Sequence, residues 1–486
     1  MAVEEKKIAS DLKQNVEYLK KELGIGESFD VLVREFKVGG KGVALFFVDG
    51  FAKDDVLVWI MQSLLRVQRE EIAVNVLAKL LDRHLPYIEV SEIESLDAAS
   101  TSILSGALVL LIEGEKKGIE IDAREYPARS PQEPDVERVT RGSRDGFVET
   151  LIFNTALIRR RIRDPRLRIE HLTVGRRSKS DVALVYLKDV ANPELVETVR
   201  GRIDKVDVDG LPMAEKALEE FIAATGFNPF PAVRYTERPD VAAVHIFEGH
   251  VVIIVDTSPS VMIAPATFFH HLQHAEEYRQ SPLVGTYIRW VRSLAVLMSL
   301  LATPLWLAIA YQPEILPQSL AFIGAKEVGH IPLYAQFFIA EIGIDIIRMA
   351  TIHTPSPLAT ALGIIAAFLI GDVAMSVGLL VPEVILYMSA AAIGSYATPS
   401  MELAQSLKLF RLLLLGLAAA FQFPGVIGGL LFFIVLAAAT RSFGVPYLWP
   451  LVPLNLQALI AVIVRKPVPV SRSRPSVVKP RDEGRM

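Results

Sequence analysis

Apolar and polar residues are segregated along this 486-residue chain. Residues 1–280 contain short apolar runs between charged stretches, whereas residues 294–464 are sparsely charged. Short runs bounded by turn residues predict the strands and helices of a soluble region, and apolar runs of about 20 residues predict membrane-spanning helices. The pattern predicts an α/β or α+β N-terminal half followed by an all-α polytopic membrane domain.

The soluble half divides at the proline-bearing stretch 126–134 into two small domains, residues 1–135 and 136–262. Strands in the first are predicted at 41–48, 107–113 and 118–121, with helices over 1–30, 54–68 and 97–104. Strands in the second are predicted at 169–174 and 182–187, with helices over 193–203 and 214–223. Residues 241–247 and 250–255 are interpreted as a further hairpin of strands across Glu248-Gly249.

An arginine-rich segment lies early in the second domain. Its basic residues are Arg159, Arg160, Arg161, Arg163, Arg166 and Arg168. One interpretation is a solvated helix end paired with local carboxylates. The alternative is contact with anionic headgroups or with an acidic neighbour.

Residues 263–288 are predicted to form an amphipathic helix at the membrane surface. His270 and His274 have the i, i+4 spacing that could place two metal ligands on one helix face. Since the HExxH pattern is absent, we predict no metal site, and no catalytic or cofactor-binding residues stand out either.

About six spans are predicted within residues 289–465. They cover residues 291–310, 332–349, 358–380 and 384–397, with a hairpin of two short spans over 412–440. Residues 445–464, interrupted by three prolines, are interpreted as an interfacial or re-entrant cap. If 412–440 does not cross twice, four spans remain.

Positive charges in the predicted loops set the orientation. They are Arg289, Arg292, Arg348, Lys408, Arg411 and Arg441, followed by a basic tail over residues 466–486. A topology of six spans with both termini in the cytosol places all of these residues on the cytosolic side of the membrane.

The second span carries Glu341, Asp345 and Arg348, whose i, i+4, i+7 spacing places them on one helix face. Because a charge at the bilayer centre costs a few kcal/mol, such residues usually face protein or water. The face is predicted to turn toward a pore, a subunit contact or a polar cavity. The alternative is a structural ion pair between Asp345 and Arg348.

The third span has small residues in helical register and one acid, Asp372. The small residues, candidates for close helix packing, are Gly363, Ala367, Gly371, Ala374 and Gly378. Asp372 could select cations or carry protons, or could form a hydrogen bond between helices.

Composition narrows the functional class. The chain has no cysteine, which excludes disulfides and thiol catalysis. Its net charge of −4 gives no sign of a nucleic-acid partner. The charged N-terminus is not a signal peptide.

Several short motifs resemble the GerA family of spore germination proteins, A-subunit type, over residues 45–466. In the soluble half these are ERV with RG and GFVE over 137–149, NTALIRRRI from Asn154, FP at 230–231, TERPD at 236–240, EGHV at 248–251 and DTSP at 256–259. In the membrane half they are RWVR at 289–292 and SFGVPYL at 442–448. Within the family, the HHLQHAEE stretch at 270–277 is similar to the stage V sporulation branch rather than to nutrient-receptor A subunits.

The resemblance implies a multi-pass protein of the spore inner membrane that acts in germination and has no enzymatic activity. It implies a ring homo-oligomer, with a pentamer as one candidate, that forms an ion channel gated by other receptor subunits. The stage V branch implies a different small membrane partner and an amplification of ion release.

Three hypotheses remain open at this point. The first is a homo-oligomeric channel for monovalent cations, with Glu341, Asp345 and Asp372 supplying negative potential and Arg348 paired with Asp345. The second is a secondary transporter with Glu341 and Asp372 as coupling sites, although no repeat is seen between the halves of the membrane region. The third is a non-conducting scaffold.

Overall fold

The computed structural model describes residues 5–52, 54–72, 75–85, 87–124, 137–223, 226–326, 329–352, 363, 369–470 and 472–485. The chain forms two compact units. Unit 1 comprises residues 1–224, 233–265 and 468–486, and unit 2 comprises residues 225–232 and 266–467.

The first subdomain of unit 1 is a five-stranded sheet with helices on both faces. Its elements are α1 Leu12–Leu23, β1 Val31–Val38, β2 Lys41–Val48, α2 Asp54–Arg66, α3 Val76–Lys79, β3 Val90–Ile93, α4 Leu96–Ser105, β4 Leu108–Ile112 and β5 Gly118–Ile121. The strand order is β1-β2-β4-β5-β3, and neighbouring strands are antiparallel. All five residues of β4 are buried because both sheet faces are covered.

Local signals explain where α1 begins and ends. The Asp11 side chain accepts hydrogen bonds from the backbone N–H groups of Lys13 and Gln14. Gly24 ends the helix with a φ of +66°, a left-handed conformation that glycine adopts without strain.

The second subdomain repeats this architecture. Its elements are α5 Leu151–Arg161, β6 Leu167–Val174, β7 Ser180–Leu187, α6 Pro193–Ile203, α7 Ala214–Ala223, β8 Arg234–Thr236, α8 Pro239–Phe247, β9 Val251–Val255 and β10 Val261–Ala264. The antiparallel order β6-β7-β9-β10-β8 matches that of the first sheet, as does the succession of helices and strands. Every pairing between the described strands of unit 1 is antiparallel, so unit 1 is α+β, not α/β.

The predicted strand at 241–247 is wrong, because α8 occupies Pro239–Phe247. A short apolar run does not distinguish a strand from a buried helix. Pro239 at the first turn favours the helix.

Two of the six arginines connect the two subdomains. The Nε and Nη2 groups of Arg159 donate to the two carboxylate oxygens of Asp30 at 2.8 and 3.1 Å, and both side chains are almost fully buried. Arg168 Nε donates to Glu27 at 2.7 Å. Hydrogen bonds from Lys188 and Arg168 lower the pKa of Glu27. Arg159 and Arg168 therefore pair with carboxylates distant in sequence, whereas Arg166 pairs with the local carboxylates of Asp164 and Asp189.

The tail after unit 2 also belongs to unit 1. Val477 and Val478 are buried, and Arg474 Nε donates to the Phe247 carbonyl at 2.8 Å. The predicted basic tail is therefore partly packed against α8.

Unit 2 is helical. Its elements are α9 Ala275–Arg279, α10 Pro282–Tyr311, α11 Leu333–Ile352, α12 Ala374–Ser376, α13 Pro382–Tyr396, α14 Met401–Ala439, β11 Arg441–Ser442, β12 Val445–Pro446 and α15 Leu456–Ile463. Two of these helices, α10 and α14, are long and apolar enough to cross a membrane.

Helix α14 is broken at Gln422, whose φ of +55° and ψ of −134° are not helical. The rings of Phe410 and Phe433 lie 4.8 Å apart. In a straight helix these residues would be about 35 Å apart at 1.5 Å per residue. The chain therefore folds back into two arms, which confirms the predicted hairpin but not that either arm crosses a membrane. The first arm begins at Met401, so Lys408 and Arg411 lie inside a helix and not in a loop.

The predicted amphipathic helix over 263–288 does not form as one element. The segment contains the end of β10, a 3₁₀ turn at His270–Leu272, the short helix α9 and the start of α10. Since His270 is in the turn and His274 caps α9, the two histidines do not share a helix face.

Candidate functional site

Two acids of α11 face two basic residues of the first arm of α14. Arg411 donates from Nη2 and Nε to the carboxylate of Glu341 at 2.6 and 3.1 Å, and both side chains are 2% exposed. One turn away, Lys408 Nζ donates to both Asp345 carboxylate oxygens at 2.8 and 2.9 Å. We term these four residues the charge ladder.

The Arg411 guanidinium connects four helices. Besides Glu341 of α11, its Nη1 donates to the Ser299 carbonyl of α10 at 2.5 Å and to the Ser395 hydroxyl of α13 at 3.2 Å. A buried ion pair holds its place when further hydrogen bonds satisfy its polar atoms. Arg411 therefore fixes how these helices pack.

The two rungs of the ladder differ in exposure. The side chains of Asp345 and Lys408 are 33% and 18% exposed, against 2% for both members of the Glu341–Arg411 rung. The outer rung alone can contact water or a neighbouring molecule without repacking.

The predicted Asp345–Arg348 pair is not formed, because Lys408 from the adjacent helix neutralises Asp345. Sequence reasoning does not identify Lys408 and Arg411 as partners of these acids. The charge pattern predicts a cytosolic loop for both residues, although their i, i+3 spacing complements the i, i+4 spacing of the two acids.

Arg289 and Arg292, which the charge pattern also predicts to be cytosolic loop charges, are paired inside unit 2. Arg289 Nε donates to the buried Glu277 carboxylate at 2.7 Å, and its Nη1 donates to the carbonyls of Ala461 and Val462 at the end of α15. Arg292 pairs with the same carboxylate. Paired arginines carry less weight as evidence of orientation than solvated loop charges do.

Asp372 lies on a π-helical turn at Leu369–Val373, and its side chain is exposed. It forms no hydrogen bond or ion pair with any residue that the structure describes. Unlike the ladder acids, Asp372 is not neutralised within the described part of the chain.

The predicted stripe of small residues is only partly present. Ala367 lies outside the described residues, and a Cβ built at Gly363 or Gly371 meets no described atom within 4 Å. Ala374 is buried, whereas Gly378 follows the helix end with a φ of +71°. Among the described residues, these positions do not form a helix-packing stripe.

Close helix packing occurs at another glycine, Gly394 of α13. A Cβ there would lie 2.2 Å from the Ala295 carbonyl oxygen and 3.0 Å from Ser299 Cβ on α10. Only glycine permits this approach, which brings Ser299 and Ser395 to the Arg411 guanidinium.

The three histidines at 270–274 contact three different partners. His270 Nδ1 accepts from the Thr267 N–H, His274 Nδ1 accepts from the Glu276 N–H, and His271 Nδ1 lies 3.1 Å from the Ser400 hydroxyl. Within the described ranges, no group of three or more His, Asp or Glu side chains has the arrangement of a metal site.

Comparison with known proteins places this architecture in a family. A family profile described as "Bacillus/Clostridium GerA spore germination protein" matches residues 17–477. Stage V sporulation protein AF of Bacillus subtilis (strain 168) is 48% identical over 469 residues, covering 96% of this chain and 95% of that protein. Spore germination protein KA of the same organism is 31% identical, covering 98% and 88%.

A solved structure is also similar to part of the chain. It is the N-terminal domain of the A subunit of the Bacillus megaterium spore germinant receptor GerK3, with 27% identity and a TM-score of 0.44. The match covers 55% of this chain and 99% of that domain. The family inferred from sequence motifs, including similarity to the stage V branch, is confirmed by the full-length matches. The chain belongs to the GerA family of spore germination proteins.

Proposed function

We propose that this chain is a membrane subunit of a spore germination complex that assembles with copies of itself into a ring and conducts monovalent cations. Membership of the GerA family supports the role in germination. The lengths and composition of α10 and α14 support a membrane location.

The exposed carboxylate of Asp372 carries the conduction proposal. A charged side chain facing lipid costs a few kcal/mol or more, so an unpartnered acid in a membrane region faces water or another subunit. In a ring of subunits, Asp372 would face a shared aqueous path, where a ring of acids selects cations.

The charge ladder has a divided role in this proposal. The Glu341–Arg411 rung holds the helices together, because its side chains are buried and fully hydrogen-bonded. The more exposed Asp345 adds negative potential beside the path, and Lys408 limits it. Arg348 lies one turn beyond this rung.

Apolar side chains left uncovered on unit 2 support contact with lipid and with further subunits. They include Leu294, Leu297, Ile342, Ile346, Met349, Leu386, Ile393, Phe421, Ile427, Leu431, Phe432 and Val435. We propose a multi-pass protein of the spore inner membrane with cytosolic termini and with a small membrane protein or receptor subunits as partners.

Ion flux into liposomes containing the purified full-length chain tests this proposal. Wild type should pass K⁺, and Asp372→Asn should lower the flux or its preference for cations over anions. Glu314→Gln, which neutralises an exposed acid elsewhere in unit 2, is the matched control and should leave both unchanged. Unaltered flux in Asp372→Asn removes Asp372 from the path, and assembled wild type that passes no ions contradicts conduction.

The break in α14 favours a second candidate, a secondary transporter. Broken helices line substrate sites in many transporters, and the side chain of Gln422 at the break accepts a hydrogen bond from the Gln312 amide. Saturable exchange that requires a specific substrate would favour this function over a channel.

A further inference from the structure

We propose that residues 226–232, termed the insertion loop, fix the position of the first arm of α14 and thereby couple the soluble unit to the charge ladder. The importance of the charge ladder for ion flow rests on the proposed function. The coupling concerns only the positions of the helices and does not depend on that function. The loop lies between α7 and β8, both in unit 1, yet it packs as part of unit 2.

Phe230 anchors the insertion loop in an aromatic cluster. Its side chain is 1% exposed, and its ring centroid lies 5.1 Å from that of Phe410, 5.3 Å from Phe433 and 5.3 Å from Tyr447. Phe410 and Phe433 are on the two arms of α14, so one ring from the loop contacts both arms. Burying an aromatic side chain of this size stabilises by about 2–3 kcal/mol of transfer free energy.

Hydrogen bonds fix the loop backbone on either side of Phe230. The Ser406 hydroxyl donates to the Pro229 carbonyl, and the Ser442 hydroxyl donates to the Ala232 carbonyl at 2.5 Å. Asn228 Nδ2 donates to the Thr440 hydroxyl at 2.7 Å. The loop is therefore bound at the start of the first arm and at the end of the second.

The loop and the ladder contact different faces of the same arm. Ser406 and Phe410 are one turn apart and face the insertion loop. At 100° per residue, Lys408 is about 200° and Arg411 about 140° around the helix axis from Ser406. The arm is thus held between Phe230 on one side and the acids of α11 on the other, so a shift of the loop moves Lys408 and Arg411 relative to Asp345 and Glu341.

Chain connectivity extends this coupling into the soluble half. Ala232 is followed at once by Val233 and then by β8, the edge strand of the second sheet. β8 pairs with β10, and the insertion loop is bound to α14. A rearrangement of the second sheet therefore changes the position of Phe230.

The absence of native cysteine allows a direct test on the full-length chain. Spin labels at Ile346→Cys and Leu409→Cys, both at exposed positions on α11 and the first arm, report the separation of these helices. Labelled chains are diluted with unlabelled chains, so that distances within one subunit dominate. We expect a narrow distance distribution in the parent, a broadened or shifted one in Phe230→Ala, and no change in Phe421→Ala, which removes an exposed ring from the same arm.

Phe230→Leu guards against a folding defect, since it keeps most of the buried volume and should retain much of the parent distribution. An unchanged distribution in a folded Phe230→Ala chain overturns the coupling. Liposome flux separates the two proposals: in a conducting parent, Phe230→Ala should change K⁺ flux about tenfold. If the parent passes no ions while the distance shifts, conduction fails and the coupling stands. If the parent conducts and neither flux nor distance changes, the coupling fails and conduction stands.

Discussion

The two subdomains of unit 1 share one architecture and differ in how they connect to the rest of the chain. Both follow the same succession of helices and strands, and both sheets have the same strand order. In the first, the connection into β3 carries Ile88, whose side chain is 98% exposed. In the second, the corresponding connection into β8 carries Phe230, which is 1% exposed and packs within unit 2.

A second difference lies before the fourth strand of each sheet. Gly106 and Gly249 occupy matching turns, with φ values of +99° and +97°. Gly106 packs against Phe51 of its own subdomain, whereas Gly249 packs against Val478 and Pro480 of the C-terminal tail. The second subdomain thus carries the connection that enters unit 2 and contacts the C-terminal tail, which follows unit 2 in sequence. In a duplicated fold, both copies can keep the same core while one copy alone carries the segments that continue into another unit of the chain.

The largest expected effect comes from separating the two subdomains. Arg159→Met leaves Asp30 buried without its partner and should destabilise unit 1 by about 3–5 kcal/mol. Hydrogen exchange of the two sheets in the full-length chain measures this loss. The double variant Asp30→Leu with Arg159→Met removes both charges and should recover most of the protection. Equal protection in the single variant and wild type would show that this pair does not hold the subdomains together.

The matched glycines provide the next test. Alanine at either position must adopt a positive φ, and this strain lowers the free energy of unfolding by roughly 1–2 kcal/mol. At Gly106 a Cβ also lies 2.6 Å from the Phe51 ring, against 3.3 Å from Val478 at Gly249, so Gly106→Ala should cost about 1–3 kcal/mol more. Thermal unfolding compares the two variants. A larger loss for Gly249→Ala would mean that the tail resists displacement more than the core does.

Acid should weaken the second subdomain before the first. Burial lowers the pKa of His250 to about 4 and that of His245 well below its usual value. The first subdomain contains a single histidine, His84, and therefore no such pair. Since the unfolded chain takes up protons near pH 6.5 and the folded histidines do not, stability falls as pH drops from 6.5 toward 4. For His250 alone, this difference in proton uptake lowers the free energy of unfolding by about 2 kcal/mol at pH 5 relative to neutral pH.

One neighbour opposes this trend. Burial raises the pKa of Glu248, so the folded state takes up that proton more readily in acid. Hydrogen exchange at pH 5 and pH 7 should still show a greater loss of protection in β9 and β10 than in β4 and β5, and His250→Gln should reduce the difference. Equal losses of protection in both sheets would contradict the conclusion that the buried histidines make the second subdomain more sensitive to acid.

The smallest expected effect is at the surface of the first subdomain. Lys117 bridges Glu92 and Glu94 with all three side chains exposed by more than 40%. Lys117→Ala should change the unfolding free energy by less than about 1 kcal/mol, because solvent screens such pairs. A greater loss in a urea titration would indicate that surface charge contributes to the difference between the subdomains.

Sequence reasoning located most strands and helices of unit 1 because short apolar runs bounded by glycine and proline are local signals. It missed the duplication, because the two subdomains share topology without a visible sequence repeat. It also missed the packing of Phe230 in unit 2, since a Phe-Pro pair in a short stretch with two prolines and a glycine resembles an ordinary loop. The partners of Glu341 and Asp345 are 70 and 63 residues away, and no local pattern specifies them.

Thiol labelling in membranes most directly tests whether Asp372 faces water in the assembled protein. In this cysteine-free chain, Asp372→Cys gives a single reactive thiol, and Val435→Cys gives a matched thiol at an exposed apolar position of α14. A charged, membrane-impermeant reagent reacts with the thiolate, which forms in water and not in lipid. We expect the cysteine at 372 to react rapidly and the one at 435 to remain unmodified. Equal resistance at both positions, in a chain folded and assembled as wild type, would contradict an aqueous path past Asp372.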